Sequence, residues 1–180
     1  MMSGNRHTIP KLRPALCLVW ALCYAGLLIL DLETKAAAVS ALAGKGPIVL
    51  IDGVLEFLYV QNTGAAFSLL ENAQWLFILI AIAAVAVITF FVAKLPKTKH
   101  FLPIHVLLTL ISAGAVGNLI DRIRLGYVRD FIYFSLIDFP VFNVADIYVT
   151  VSTAILVLLV LFYYKEEDFS FLNPASGASK

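Results

Sequence analysis

Apolar residues crowd into four stretches of the chain, at about 14–33 (PALCLVWALCYAGLLILDLE), 73–93, 102–120 and 144–164. Each approaches the roughly 20 residues that a helix needs to cross about 30 Å of hydrocarbon. The Gly and Pro residues inside them are compatible with spans, because neighbouring helices can satisfy the backbone groups they free. The pattern predicts four membrane helices, with Trp20, Trp75, Tyr163 and Tyr164 as candidate interface anchors.

Between the runs the period changes. In PIVLIDGVLEFLYVQNTG (47–64), two β-branched apolar runs flank Asp52-Gly53, a favoured two-residue hairpin turn. This predicts a small sheet over about 47–62, lying on the outer membrane face. KLPKTKHFLP (94–103) reads as a short polar turn. The segment after Asp168, FSFLNPASGASK, is turn-rich and is expected to be mobile from about 169. No internal repeat is visible, and residues 1–180 read as a single integral-membrane domain.

Composition agrees with the pattern. The chain is 61% hydrophobic and 14% charged, against roughly 25% charged in soluble domains, and its mean hydropathy is +0.92. A net charge of +1 argues against a nucleic-acid partner. The distribution of charge says more. Arg6, Lys11 and Arg13 precede the first span, Lys94, Lys97 and Lys99 join the second to the third, and Lys165 follows the fourth. Four spans put all of these on one side, so both termini are predicted to be cytoplasmic. Most acids, including Asp52, Glu56, Glu71, Asp130 and Asp138, fall in the two outer connections.

Cys17 and Cys23 lie six residues apart in the first run, on different helix faces, and read as packing residues rather than a disulfide. A cleaved signal peptide is the rival account of residues 1–30. The run lacks a small-x-small cleavage site and ends in DLETK, which favours an uncleaved first span.

The polar residues of the spans gather at one depth. Asp31 and Lys35 close the first span, Asn62, Thr63 and Ser68 lie in the first outer connection, Asn118, Asp121 and Arg122 close the third span, and Asn143 and Asp146 open the fourth. The inner halves hold only isolated groups such as Thr89, His105, Thr109 and Ser112. A transporter needs ionisable groups leading across the bilayer, so a single stratum points to a site near the outer surface.

Each residue also has a plainer reading. Asp31 and Lys35 are spaced i,i+4, as in a helix-end ion pair, and so are Asn118 and Arg122 on one helical face. Asn143 suits an N-cap, with Asp146 a favourable acid in the first turn. Asp138, before Phe-Pro, reads as a solvated loop acid. Two carboxylates held together at an apolar boundary can instead share one proton and perform acid–base hydrolysis. The spacing of Asp130 and Asp146 permits that pairing. A Ser68/Lys35 peptidase remains a second possibility. A metallopeptidase is disfavoured, because His7, His100 and His105 lack zinc-ligand spacing.

The segments DLETK (31–35), NTGAAFS (62–68), GNLIDR (117–122), VRDFI (128–132) and FNVAD (142–146) together resemble the bacterial lipoprotein signal peptidases, the signal peptidase II family of membrane aspartic peptidases. The resemblance runs from the first span to the last. It implies four transmembrane helices with an extracytoplasmic β-cradle and a short outer helix. It implies Asp130 and Asp146 as the catalytic pair, with supporting or substrate-binding roles for Asp31, Lys35, Asn62, Gly64, Asn118, Asp121, Arg122, Asn143 and Ala145. The implied substrates are diacylglyceryl-modified prolipoproteins, cut just before the lipidated cysteine by a monomer in the bacterial inner membrane, in contact with membrane lipid and without metal or cofactor. Arg129 departs from the usual aliphatic residue beside the first aspartate. Neighbours in an extended segment point to opposite sides, so it is expected to face water or lipid phosphate.

Overall fold

The computed structural model describes residues 14–64 and 74–172. In chain order they form α1 (Pro14–Leu42), β1 (Ile48–Ile51), β2 (Leu55–Asn62), α2 (Gln74–Lys94), α3 (Leu102–Leu125), β3 (Val128–Tyr133) and α4 (Val144–Phe162). Short 3-10 helices follow at Ser135–Ile137 and Glu166–Leu172. The first of these lies in the connection that leads from β3 to α4.

All four helices are long and apolar enough to cross a membrane. They are also apolar nearly all round. Leu18, Leu22 and Ile29 of α1 are exposed, as are Leu79, Val87 and Phe90 of α2, and α2 has no buried residue. A helix with that surface has lipid, not water, as its solvent. α3 is the central helix and packs against the other three. Cys17 and Cys23 are free and exposed thiols, not the packing residues expected.

Three boundaries differ from the apolar pattern. α1 continues nine residues beyond 33, to Leu42. Lys35 does not end it because its charge is buried against Asp31, and the alanines that follow are strong helix formers. α3 runs on to Leu125, where Gly126 at φ 79° closes it by donating its N–H to the Arg122 carbonyl at 3.1 Å. Regular structure continues past 169, to Leu172. Glu166–Leu172 turns back, and Phe169 and Phe171 pack on Leu95, Phe101, Ile104 and Tyr164.

The expected hairpin forms, with Gly53 at φ 67° in its turn. A third strand was not foreseen. β3 pairs antiparallel with β2, matching Val60 to Asp130, Gln61 to Arg129 and Asn62 to Val128 past an irregularity after Phe57. Val128, Asp130 and Phe131 are all buried, so both faces of β3 are covered and the strand lacks the inside–outside alternation of a half-exposed one. Phe131 meets Phe57 edge-on at 6.0 Å and packs with Ala38 and Leu42. The extra turns of α1 are thus the pillar on which the sheet rests.

Small residues let α3 and α4 approach closely. A Cβ on Gly114 would run into the Ala145 carbonyl oxygen and stand 2.8 Å from Val149 Cγ2, and one on Gly117 would meet the Asp31 carboxylate. Gly114→Ala is expected to destabilise the bundle by about 1–3 kcal/mol, because it must push against backbone. Gly26→Ala, with nothing within 4 Å, is the control and should not lower the melting temperature in detergent.

Candidate active site

The polar residues singled out from the sequence converge at one end of the bundle. α1 sets the floor. Asp31 and Lys35 lie one turn apart, both with 0% exposure, and the Lys35 ammonium donates to Asp31 Oδ2 at 2.8 Å. It also donates to Asn118 Oδ1 of α3 at 2.8 Å and stands 3.7 Å from Asp121 Oδ2. A lysine so engaged braces three neighbours and is not free to act as a base. The other oxygen of Asp31 accepts the Ala145 N–H at 3.0 Å. That N–H belongs to the first turn of α4, where helical donors lack intrahelical partners and negative charge is favoured.

α4 opens with a reciprocal cap. Asn143 Oδ1 accepts the Asp146 N–H, and Asp146 Oδ2 accepts the Asn143 N–H, each at 3.1 Å. The capping reading of these two residues therefore holds, but it does not exhaust them. Asp146 Oδ1 accepts from Asn118 Nδ2 at 2.7 Å. Asn143 Nδ2 donates both to Asn118 Oδ1 at 3.1 Å and to Asp130 Oδ1 at 2.6 Å. One residue, Asn143, thus hydrogen-bonds both Asp130 and Asp146, and Asn118 ties Asp146 to Lys35.

The sheet completes the centre. Asn62 pairs with Val128 in register, so Asp130, two residues on, lies diagonally across on the same face. Asn62 Nδ2 donates to Asp130 Oδ2 at 2.8 Å, while its Oδ1 accepts the Gly64 N–H at 3.1 Å. This side-chain turn fixes which end of the amide faces the carboxylate. Asp130 is 1% exposed and has an amide on each oxygen.

Arg129 corrects an expectation. It does point away from its neighbour Asp130, yet it faces neither water nor lipid. Its Nη2 donates to Asp121 Oδ1 at 2.7 Å, and its Nε and backbone N–H both donate to Asp121 Oδ2 at 3.1 Å. The signal was available in principle: Gly126 reverses the chain and returns residue 129 to the end of α3. Hydrogen bonding to Asp121 is the main reason that the Arg129 guanidinium holds its proton more firmly than usual. Arg122 lies over the Phe77 ring at 5.2 Å, and its charge bears on Asp146, Asp130 and Asp121. Its Nε has no hydrogen-bond partner among the described residues. Asp138 stays outside the cluster, exposed, at φ 49° and bonded to the Tyr133 hydroxyl at 2.7 Å. Ser68 lies outside the described residues.

With every group ionised, Asp31, Asp121, Asp130 and Asp146 set four negative charges against three from Lys35, Arg122 and Arg129. One proton on a carboxylate balances them, which a largely buried centre favours. Burial pushes the Asp130 carboxyl up to about 6; the Asp146 charge adds to this, while the Asn62 and Asn143 amides and Lys35 oppose it. Such a centre can keep one acid neutral and another ionised near neutral pH.

A consequence for stability follows. With its folded pKa above the unfolded 3.8, Asp130 binds more proton in the native state between those values. Its contribution therefore declines as pH rises from about 4 to about 6, by about 3 kcal/mol. Asp130→Asn should remove this slope from melting temperatures measured in detergent between pH 4 and 8.

Four membrane-capable helices gathered around a buried cluster of carboxylates, amides and cations define a multi-pass membrane protein with a polar centre at one end of its bundle. A family described as signal peptidase (SPase) II matches residues 23–162. The chain belongs to the signal peptidase II family and is a bacterial membrane peptidase. It is 39% identical over 143 residues to the lipoprotein signal peptidase of Streptococcus pyogenes serotype M5 (strain Manfredo), covering 79% of this chain and 91% of that one. Its counterpart in serotype M3 (strain SSI-1) is 38% identical over the same length. Two bacterial membrane enzyme structures, determined by the in meso method at 2.3 and 1.9 Å, are also similar. The first has a TM-score of 0.66 and 28% identity, covering 79% of this chain and 87% of that one. The second has a TM-score of 0.70 and 27% identity, covering 81% and 94%.

Proposed function

We propose that the protein removes signal peptides from diacylglyceryl-modified prolipoproteins, cleaving just before the lipidated cysteine with Asp130, Asp146 and a water. The observation that carries this reading is the double role of Asn143, whose amide bonds Asp130 while its backbone N–H bonds Asp146. The four membrane-capable helices, and the lipoprotein signal peptidases to which the chain is similar, support the choice of substrate.

The two carboxylates divide the work. Asp130, desolvated on the strand, carries the shared proton. Asp146, at the positive end of α4, is the base that draws a proton from water. The water oxygen bonds to the scissile carbonyl carbon while Asp130 gives its proton to the carbonyl oxygen. The tetrahedral species then collapses: the C–N bond breaks, the proton held by Asp146 passes to the leaving amine, and Asp130 recovers its own. Asn118, Asn143 and Asn62 hold the carboxylates in place, Asp31, Lys35 and Asp121 hold the amides and the sheet, and Arg122 binds substrate backbone. Gly64 and Ala145 contribute backbone N–H groups and leave room for the substrate.

The site lies at the outer face of the bacterial inner membrane, with both termini cytoplasmic and a monomer as the working unit. Exposed apolar residues on the sheet (Val49, Ile51) and on the outer loop (Leu136, Ile137, Phe139) rest in lipid on either side of it. Purified protein in detergent should cut a diacylglyceryl lipobox peptide at the bond before cysteine. The same peptide without lipid should react at least about 100-fold more slowly, since remote binding energy is lost. Mass spectrometry showing cleavage at another bond, or equal rates for both peptides, rejects the assignment. A chelator should change neither rate.

A further inference from the structure

A second recess lies at the opposite end of the bundle. α1 and α2 both pack on α3 but barely touch one another, which leaves a cleft of about 660 Å³ between them. Trp20 and Tyr24 of α1, Val92 of α2 and Leu102 of α3 line it, and Lys97 and Lys99 stand in the turn at its mouth. Leu102 and Asp121 are 19 residues apart on α3, roughly 28 Å along the axis, so the cleft is separate from the carboxylate centre.

Thr98 stands with the two lysines in the turn at the mouth, and the polar side chains deeper in the cleft have partners. Thr89 and Thr109 each donate to a carbonyl of their own helix at 2.7 Å. His105 Nε2 lies 3.3 Å from the Pro96 carbonyl oxygen, and the Tyr24 hydroxyl 3.1 Å from Ser112. The walls therefore present apolar surface, and charge appears only at the mouth. Neither Lys97 nor Lys99 has a carboxylate within ion-pairing distance among the described residues. An apolar slot between membrane helices, topped by two cations at the polar end, complements an amphiphile with a negative head.

We propose that this cleft binds an anionic phospholipid of the surrounding leaflet, its phosphate between Lys97 and Lys99 and the start of one acyl chain beside Trp20, Tyr24 and Leu102. From Leu102 to Thr109 the cleft runs roughly 10 Å along α3, enough for the upper part of a chain. The rest of the lipid stays in the bilayer. Such a site anchors the end of the bundle away from the chemistry.

The chain has two tryptophans, and Trp75 is 64% exposed at the other end of α2. In Trp75→Phe, Trp20 is the sole tryptophan and reports on the cleft. The full-length variant is reconstituted in phosphatidylcholine bilayers containing a minor fraction of brominated phosphatidylglycerol, or the same fraction of brominated phosphatidylcholine. Quenching of Trp20 by the anionic lipid should exceed that by the zwitterionic one at least about twofold. Adding Lys97→Gln and Lys99→Gln should bring the two to the same level, and inorganic phosphate should leave the excess unchanged. Equal quenching by both lipids, or an excess that survives the double lysine substitution, overturns the proposal. So does loss of the excess on adding phosphate, which would mark a site for the free ion.

Discussion

Asp130→Asn and Asp146→Asn are each expected to lower kcat/KM for the lipidated peptide at least about 1,000-fold, within the range for loss of a positioned acid or base. The amides are close in shape, and the chain should still fold. Each carboxylate accepts hydrogen bonds on both oxygens, Asp130 from Asn62 and Asn143, Asp146 from Asn118 and the Asn143 N–H. An amide satisfies one of each pair and opposes the other, which costs about 1 kcal/mol of stability. That loss lowers the melting temperature without emptying the native state. Asp138→Asn is the matched control from the same segment. It is exposed, and asparagine also tolerates the positive φ at that position, so activity should stay within about twofold. A folded Asp130 or Asp146 variant that kept a tenth of the activity would remove the pair from the mechanism.

Lys35→Met is the substitution with the largest expected effect on stability. The ammonium is fully buried, donates to Asp31 and Asn118, and lies 3.7 Å from Asp121. Removing it strands the Asp31 charge beneath the α4 N-terminus and unties Asn118. A loss of about 3–5 kcal/mol is expected, as when one member of a buried ion pair is deleted. If the penalty comes from the stranded charge, Asp31→Asn in the Lys35→Met background should restore part of it. The two substitutions would then be less than additive in thermal unfolding. Strict additivity would mean that Lys35 acts through packing alone.

The spans were legible because membrane helices need only length and apolarity, and both are local. The hairpin was legible because Asp52-Gly53 announces its own turn. Depth alone gathered Asp31, Lys35, Asn118, Asn143 and Asp146 at one level, without any contact being known. The far end of α1 was not legible. Lys35 looks like a stop until its charge is known to be buried against Asp31. β3 was hidden for a related reason: its partner strand lies some 70 residues earlier, and with both faces covered its pattern does not alternate. The role of Arg129 depends in turn on β3. Only when Gly126 turns the chain back beside α3 does residue 129 find Asp121.

The junction at Gly126 and Tyr127 has a consequence for how chains of this fold can diverge. Arg129 and Asp130 are adjacent on a strand, so their parity relative to the end of α3 decides which one enters the buried carboxylate centre and which one clamps Asp121. One added residue between Gly126 and Val128 would put Arg129 where Asp130 now stands, exchanging an acid for a base, and one deleted residue would put Phe131 there, while leaving every helix intact. The hairpin at Asp52–Gly53 carries no such constraint, since neither residue touches the centre. Insertions and deletions among related chains should therefore collect at the hairpin, while the α3–β3 junction keeps its length to the residue.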